Sequence, residues 1–370
     1  MAETDPTPTA NVKTLLASVS GLKRICLVVV ALALGFQATA CAKAYIDLSE
    51  AQTHPGFKFQ GEFTGTIRET AEAEPVNSAL QVSIHGGQAR GLLYYDSLPD
   101  GIDNHDETKI RAQLEGVYRN DELVLRGEGA PRFRYTAEGF VAFDDENDNL
   151  GQLNRIERQS PTLGLAPPEN AITLFDGEHL EHWNDGARMD ADGRLIEGAT
   201  TREYYGDFHL HMEMKLGFMP DSEGQRRTNS GVYIQNRYEV QILDTFGSPP
   251  SVNGIASLYN FQAPIVNAAY PPLTWQTYDI HFRAPRFDDD GEKTENARVT
   301  VYHNGVLVQD DVELPRGTGR GGARAETPIA PLYLQSHTGP VRFQNIWLIP
   351  DSYDPPGADR LSPENWAEWR

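Results

Sequence analysis

The chain has 370 residues, enough for more than one folded domain. Its 53 acidic against 32 basic side chains leave a formal net charge of −21, which repels phosphates and excludes nucleic acid as a working partner. With 33 glycines and 24 prolines, and with aromatic and β-branched residues in short runs between turn signals, the composition favours an all-β protein.

The first element in chain order is a targeting segment. Lys13, Lys23 and Arg24 form a basic start, Ile25–Phe36 an apolar core, and Ala38-Thr39-Ala40 a run of small residues suited to cleavage. That apolar core is too short to span a bilayer, so residues 1–40 read as an export signal. Cys41 follows, and Ala38-Thr39-Ala40-Cys41 resembles a bacterial lipobox, which makes Cys41 the candidate for lipidation. The expectation is an exported protein, either periplasmic or held at a membrane as a lipoprotein. The other cysteine, Cys26, lies inside the signal core, so no disulfide or thiolate metal site can form downstream.

Residues 45–157 read as a small β-domain, with strands expected at Phe57–Ile67, Leu80–Ile84, Ala89–Tyr95, Leu114–Arg119, Glu122–Gly127, Phe133–Thr136 and Phe140–Phe143. Tyr118-Arg119-Asn120-Asp121-Glu122 is the expected hairpin turn between two of them. The acidic clusters Asp100–Glu107 and Asp144–Asp148 lack the spacing of a calcium loop and read as solvated loops. Residues 158–169 are rich in proline and serve as a linker, because proline has no N–H to donate to a ladder.

Residues 170–350 alternate again, and residues 351–370 form a tail. In Phe208–Lys215, Phe208, Leu210, Met212 and Met214 share one face, while His209, His211, Glu213 and Lys215 share the other. The two histidines and Glu213 have the spacing for a divalent ion on one strand face, against the plainer reading of solvent-facing side chains. Trp275–Ala284, Arg298–His303, Val306–Gln309, Pro331–Ser336 and Val341–Ile349 continue the series, with Asn304-Gly305 as a tight turn. So many strands without a helical period imply a two-sheet sandwich, a jelly roll.

The stretch Asn229–Asp244 stands out. Val232, Ile234, Tyr238, Val240 and Ile242 take one face; Tyr233, Gln235, Arg237, Glu239 and Gln241 take the other. A row of amide, guanidinium and carboxylate groups suits a polyhydroxylated ligand, and this row reads as one wall of a site.

Several motifs follow in order: Leu174-Phe175-Asp176-Gly177 with Trp183, Asn229-Ser230-Gly231-Val232-Tyr233, Arg237-Tyr238-Glu239-Val240-Gln241, Tyr302-His303-Asn304-Gly305 and Arg342-Phe343-Gln344-Asn345-Ile346-Trp347. Together they resemble the 3-keto-disaccharide hydrolase family, also described as 3-keto-glycoside lyases and hydratases, over about 170–350. Phe57-Lys58-Phe59-Gln60-Gly61-Glu62-Phe63 resembles the preceding part of two-domain exported bacterial members. The resemblance implies a concanavalin A-like jelly-roll sandwich that cleaves glycosides already oxidised at C3. A C3 ketone acidifies the C2 proton; a base removes it, the C1 substituent leaves, and water adds, giving net hydrolysis. The partner implied is thus a 3-keto-glycoside.

That chemistry needs a base, a group for the enolate oxygen and an acid. Glu239 is the candidate base or metal ligand, Arg237 the enolate-stabilising group and His337 the acid, its pKa lying near working pH. Asn229, Tyr233, Gln241, Glu213 and Gln335 are the candidate substrate contacts. Plainer readings stand beside these: Glu239 with Arg237 as a structural pair, and His337 as a loop pin. No cofactor is fixed by the residues, and a divalent metal ion stays open. Many family members carry an acid in the segment that here reads Val252–Tyr259, where Asn253 stands instead. The alternative is a carbohydrate-binding lectin without catalysis, since the same fold hosts both. The discriminator is whether Glu239 and His337 converge on one concave pocket.

Overall fold

The structure is a computed structural model that describes residues 42–99 and 110–353. The signal, Cys41, the Asp100–Glu107 cluster and nearly all of the tail lie outside the described residues. Among the described residues twenty strands follow one another: β1 (Gly61–Ile67), β2 (Val76–His85), β3 (Gln88–Tyr95), β4 (Ile110–Gly116), β5 (Val124–Leu125), β6 (Arg132–Tyr135), β7 (Gly139–Phe143), β8 (Asn149–Ile156), β9 (Ile172–Phe175) and β10 (Leu195–Ile196). Then come β11 (Phe208–Leu216), β12 (Asn229–Ile234), β13 (Tyr238–Leu243), β14 (Trp275–Arg283), β15 (Arg286–Phe287), β16 (Lys293–Glu295), β17 (Ala297–His303), β18 (Val306–Leu314), β19 (Tyr333–Leu334) and β20 (Val341–Pro350). The all-β expectation holds.

β1 to β8 form one antiparallel sheet in the order β4-β3-β2-β1-β8-β7-β6-β5. Its two ends meet, because Glu115 and Arg126 exchange backbone hydrogen bonds of 2.8 and 2.9 Å. The sheet is therefore a closed up-and-down barrel of eight strands. Side chains can fill a barrel of this size, and Phe63, Leu80, Val82, Leu93, Phe133 and Phe140 form its core. Sequence alternation overlapped seven of its strands but missed β8, Asn149–Ile156, and the closure. Phe57–Phe59, expected as strand, is a turn of 3-10 helix leading into β1. Asn120 and Asp121 both adopt positive φ, 48° and 71°, as the hairpin turn requires.

The second half is a sandwich. A seven-stranded sheet, β10-β20-β11-β14-β17-β18 with β9 on β20, faces a three-stranded sheet, β13-β12-β19. One core lies between them, built from Phe208, Leu210, Met212 and Met214 of β11, Tyr278, Ile280 and Phe282 of β14, and Val232, Ile234, Tyr238, Val240 and Ile242 of β12 and β13. Each such side chain contributes about 1.5–3 kcal/mol by leaving water. Alternation thus put the apolar face of both strand sets in the correct phase. Pro331–Ser336 is strand only at Tyr333–Leu334.

The proline-rich linker has no regular structure, as its composition implies, yet it is not loose. It lies on the outer face of the seven-stranded sheet: Thr162 Oγ1 donates to Asp279 Oδ2 at 3.0 Å, and the Gly164 N–H donates to Glu213 Oε1 at 2.6 Å. Asn345 Nδ2 and Trp347 Nε1 both donate to the Leu165 carbonyl, at 3.0 and 3.1 Å. Barrel and sandwich are joined directly as well. Buried Arg227 donates to the Ile84 carbonyl at 2.7 Å and to the Asp244 carbonyl at 3.0 Å, and its guanidinium pairs with the Asp244 carboxylate. Arg158 pairs with buried Glu62 at 2.6 Å and lies over the Tyr270 ring.

Candidate active site

The stretch Asn229–Asp244 folds into a hairpin, β12 and β13, turning at Gln235-Asn236-Arg237. Gln235 and Asn236 take positive φ, 50° and 55°. Antiparallel pairing sets Tyr233 opposite Glu239 and Gly231 opposite Gln241. Side chains on one face of such a pair are neighbours, so the polar residues on the face away from the core form a patch. Gly231 has a specific use there: a Cβ at this position would lie 2.6 Å from Glu239 Oε1. Its absence lets the carboxylate lie across the strand.

A cavity of about 340 Å³ opens over this patch, lined by Asn229, Tyr233, Glu239 and Gln241 together with Gln335, His337, Arg320, Tyr259, Asn260, Gln225 and Gly319. The size lies within the range that holds small ligands. Glu239 is its single carboxylate. The Tyr233 hydroxyl donates to Glu239 Oε2 at 2.6 Å, and Gln335 Nε2 reaches that hydroxyl at 3.4 Å. Asn229 Nδ2 and Gln241 Nε2 both donate to Gln225 Oε1, at 2.9 and 3.3 Å, making a chain of amides along one side. Burial pushes the Glu239 carboxyl up to about 7, although the Tyr233 hydrogen bond and the Arg320 charge pull the other way. A buried carboxyl poised near neutrality can both take and return a proton.

His337 sits at the mouth, and Glu239 and His337 do line one cavity. Its Nδ1 lies 2.8 Å from Thr338 Oγ1. Burial and the Arg320 charge lower its pKa below the ordinary imidazole value, which disfavours the imidazolium form that an acid role needs.

Two expectations are corrected. Arg237 does not line the cavity. It lies in the hairpin turn, where its Nη1 donates to the Gln235 carbonyl at 2.6 Å and its Nε holds the Ala325 carbonyl. Glu213 is on the opposite sheet, buried under the linker, and accepts hydrogen bonds from Gly164, Gln344 and Asn345. Its histidine neighbour is engaged within the same buried face. His211 Nδ1 lies 2.7 Å from Asp279 Oδ1, and the His211 ring stacks on Trp347 at 4.9 Å. Among the described residues no group of three or more His, Cys, Asp or Glu is placed to hold a metal ion.

Residues 170–349 match the model of the 3-keto-alpha-glucoside-1,2-lyase-like domain. A candidate glycosyl hydrolase from Parabacteroides distasonis, with a crystal structure, is 34% identical over 49% of this chain and 84% of its own, at a TM-score of 0.44. The chain belongs to this family. A second candidate glycosyl hydrolase of that organism is 16% identical over 53% of this chain and 99% of its own (TM-score 0.37), and a third is 20% identical over 48% and 98% (TM-score 0.35). No curated protein matches the chain.

Within this family member the guanidinium at the cavity is Arg320, which sequence reasoning missed. A short 3-10 helix, Gly319–Ala323, carries it over Glu239. The loop is stapled to the hairpin turn: Thr318 N–H donates to the Arg237 carbonyl at 2.9 Å, and Thr318 Oγ1 accepts from the Glu239 N–H at 2.8 Å. Gly321 packs so tightly that a Cβ would lie 2.0 Å from the Arg237 carbonyl oxygen. Glycines at 317, 319, 321 and 322 around Arg320 were the available signal, since such a run marks close backbone approach. Tyr259 reaches the cavity from the segment Val252–Tyr259, whereas Asn253 does not line it. The aromatic rings at the site are tyrosines; Trp183 and Trp347 are core.

Proposed function

We propose that this carbohydrate-active protein cleaves 3-keto-glycosides by elimination followed by hydration. The observation that carries the reading is a solitary buried carboxyl, Glu239, titrating near neutrality in a cavity that also presents Arg320. Glu239 as carboxylate removes the proton from C2, and the electron pair moves toward the C3 oxygen as an enolate. Arg320 faces that developing charge, a role for which one preorganised donor contributes about 10²–10³ in rate. The electron pair then returns to form the C1–C2 double bond, and the C1–oxygen bond breaks. The proton now on Glu239 passes to the departing oxygen, so one group serves as base and acid in turn. Water adds at C1, and a proton returns to C2.

Tyr233 orients the Glu239 carboxylate, and the amides of Asn229, Gln225, Gln241 and Gln335 suit the sugar hydroxyls. His337, at the mouth, hydrogen-bonds a sugar hydroxyl. The test is aglycone release from a 3-keto-glucoside by the mature protein, with and without chelator. Release by the wild type and its loss in Glu239→Gln support the reading. Binding of an unoxidised glucoside with no cleavage of the keto form would instead make the cavity a lectin site.

A further inference from the structure

A second cavity of about 320 Å³ adjoins the first and shares Tyr233, Arg320 and Gln335 with it. No carboxylate lines it, whereas two guanidinium groups do, Arg320 and Arg324. Several arginines elsewhere on the sandwich of this acidic chain, net charge −21, meet acids instead: Arg342 with Asp190 and Glu197, Arg286 with Asp207, Arg298 with Asp311. Among the described residues neither Arg320 nor Arg324 forms an ion pair. Arg324 spends one N–H on the Asn236 carbonyl at 2.8 Å, which fixes the guanidinium and leaves its other donors available. The tight packing of Gly321 on Arg237 holds the loop carrying both, so the two charges are preorganised. Tyr333 supplies an aromatic wall, tilted against Tyr233 at 5.9 Å.

We propose that this second compartment receives the leaving half of the substrate and selects an anionic one, bearing a carboxylate or a phosphate ester, with Arg320 and Arg324 as counter-charges. The proposal rests on the cleavage reading above and deepens it. Tyr233, Arg320 and Gln335 line both cavities, so the space next to a ring held at Glu239 is open to its C1 substituent. Planar guanidinium forks suit either anion, and charge-assisted hydrogen bonds there exceed neutral ones in strength. A cationic pocket in an acidic surface also focuses the field on one entry point.

The test uses three probes, phenyl, 4-carboxyphenyl and 4-phosphonooxyphenyl 3-keto-glucosides, titrated calorimetrically into Glu239→Gln so that binding is read without turnover. The corresponding unoxidised glucosides, titrated into wild type, repeat the measurement without that variant. An anionic probe binds about tenfold more tightly than the phenyl probe, the gap shrinks in high salt, and Arg324→Gln narrows the ratio about tenfold. The tighter of the two anionic probes identifies the source of the charge. A ratio near one, or a ratio that Arg324→Gln leaves unchanged, overturns the proposal. An anion preference without aglycone release from any probe by wild type keeps this compartment and sinks the cleavage chemistry. Equal affinity with efficient release does the reverse.

Discussion

The two sheets of the sandwich each turn a polar strand face away from the shared core, and the two faces met different fates. On the three-stranded sheet, Asn229, Tyr233, Glu239 and Gln241 line an open cavity. On the seven-stranded sheet, His209, His211, Glu213, Asp279 and His281 are buried, with the linker crossing that face. The charges behave accordingly. Behind, burial disfavours the His211 cation, but Asp279 and Glu213 outweigh it and raise the imidazole to about 9. Asp279, though buried, is held well below the usual carboxylate range by His211 and His209. In front, Glu239 has only a tyrosine hydroxyl and the Arg320 charge nearby, and burial wins. A covered face must neutralise its charges in pairs; an open one can keep a carboxyl unpaired for chemistry.

The sharpest way to break this contrast is at Glu239. Substitution Glu239→Gln keeps the shape and removes the base, and should cut aglycone release by about 10³ with the fold intact by circular dichroism. On the back face the matching change, Asp279→Asn, strands the His211 cation and should cost about 3–5 kcal/mol of stability in urea unfolding. Arg320→Ala should lower kcat by about 10² with a smaller change in KM, the pattern of a contact made in the transition state.

Proton titration separates the faces next. Cleavage at the front should rise with pH as Glu239 ionises through about 7, read as kcat/KM against pH. Stability from His211 runs the other way. Its pKa is raised above the ordinary 6.5, so its contribution is fully present below about 6.5 and lost as pH rises through about 9. Denaturation midpoints at neutral and strongly alkaline pH would show the loss, and Glu239→Gln should leave that alkaline loss in place. The smallest effect is expected at Glu213→Gln. It disturbs hydrogen bonds to the linker but should change aglycone release less than about twofold, since nothing joins Glu213 to the cavity. A larger loss would mean that the two faces are coupled.

Much of this was legible without coordinates. Period-two alternation placed Val232, Ile234, Val240 and Ile242 in the core and Tyr233, Glu239 and Gln241 on one surface, because strand geometry is local. The turn at Asn304-Gly305 was equally local: Asn304 and Gly305 take the positive φ, 52° and 76°, that such a turn demands. Arg237 shows the limit of the pattern. The period runs through it, but the hairpin turns there, and its guanidinium leaves the face that Glu239 keeps.

Alternation by itself, then, determined that this chain has two polar strand faces, one of them carried by the stretch Asn229–Asp244. Only the tertiary structure decided which face stays open. The decision lies in segments distant in sequence: the linker at 160–165 crosses one sheet, and the glycine-rich turn at 317–324 brings Arg320 and Arg324 to the other. Strand period reports which way a side chain points. What covers it depends on loops whose packing is non-local, and that sets the charge each carboxylate can carry.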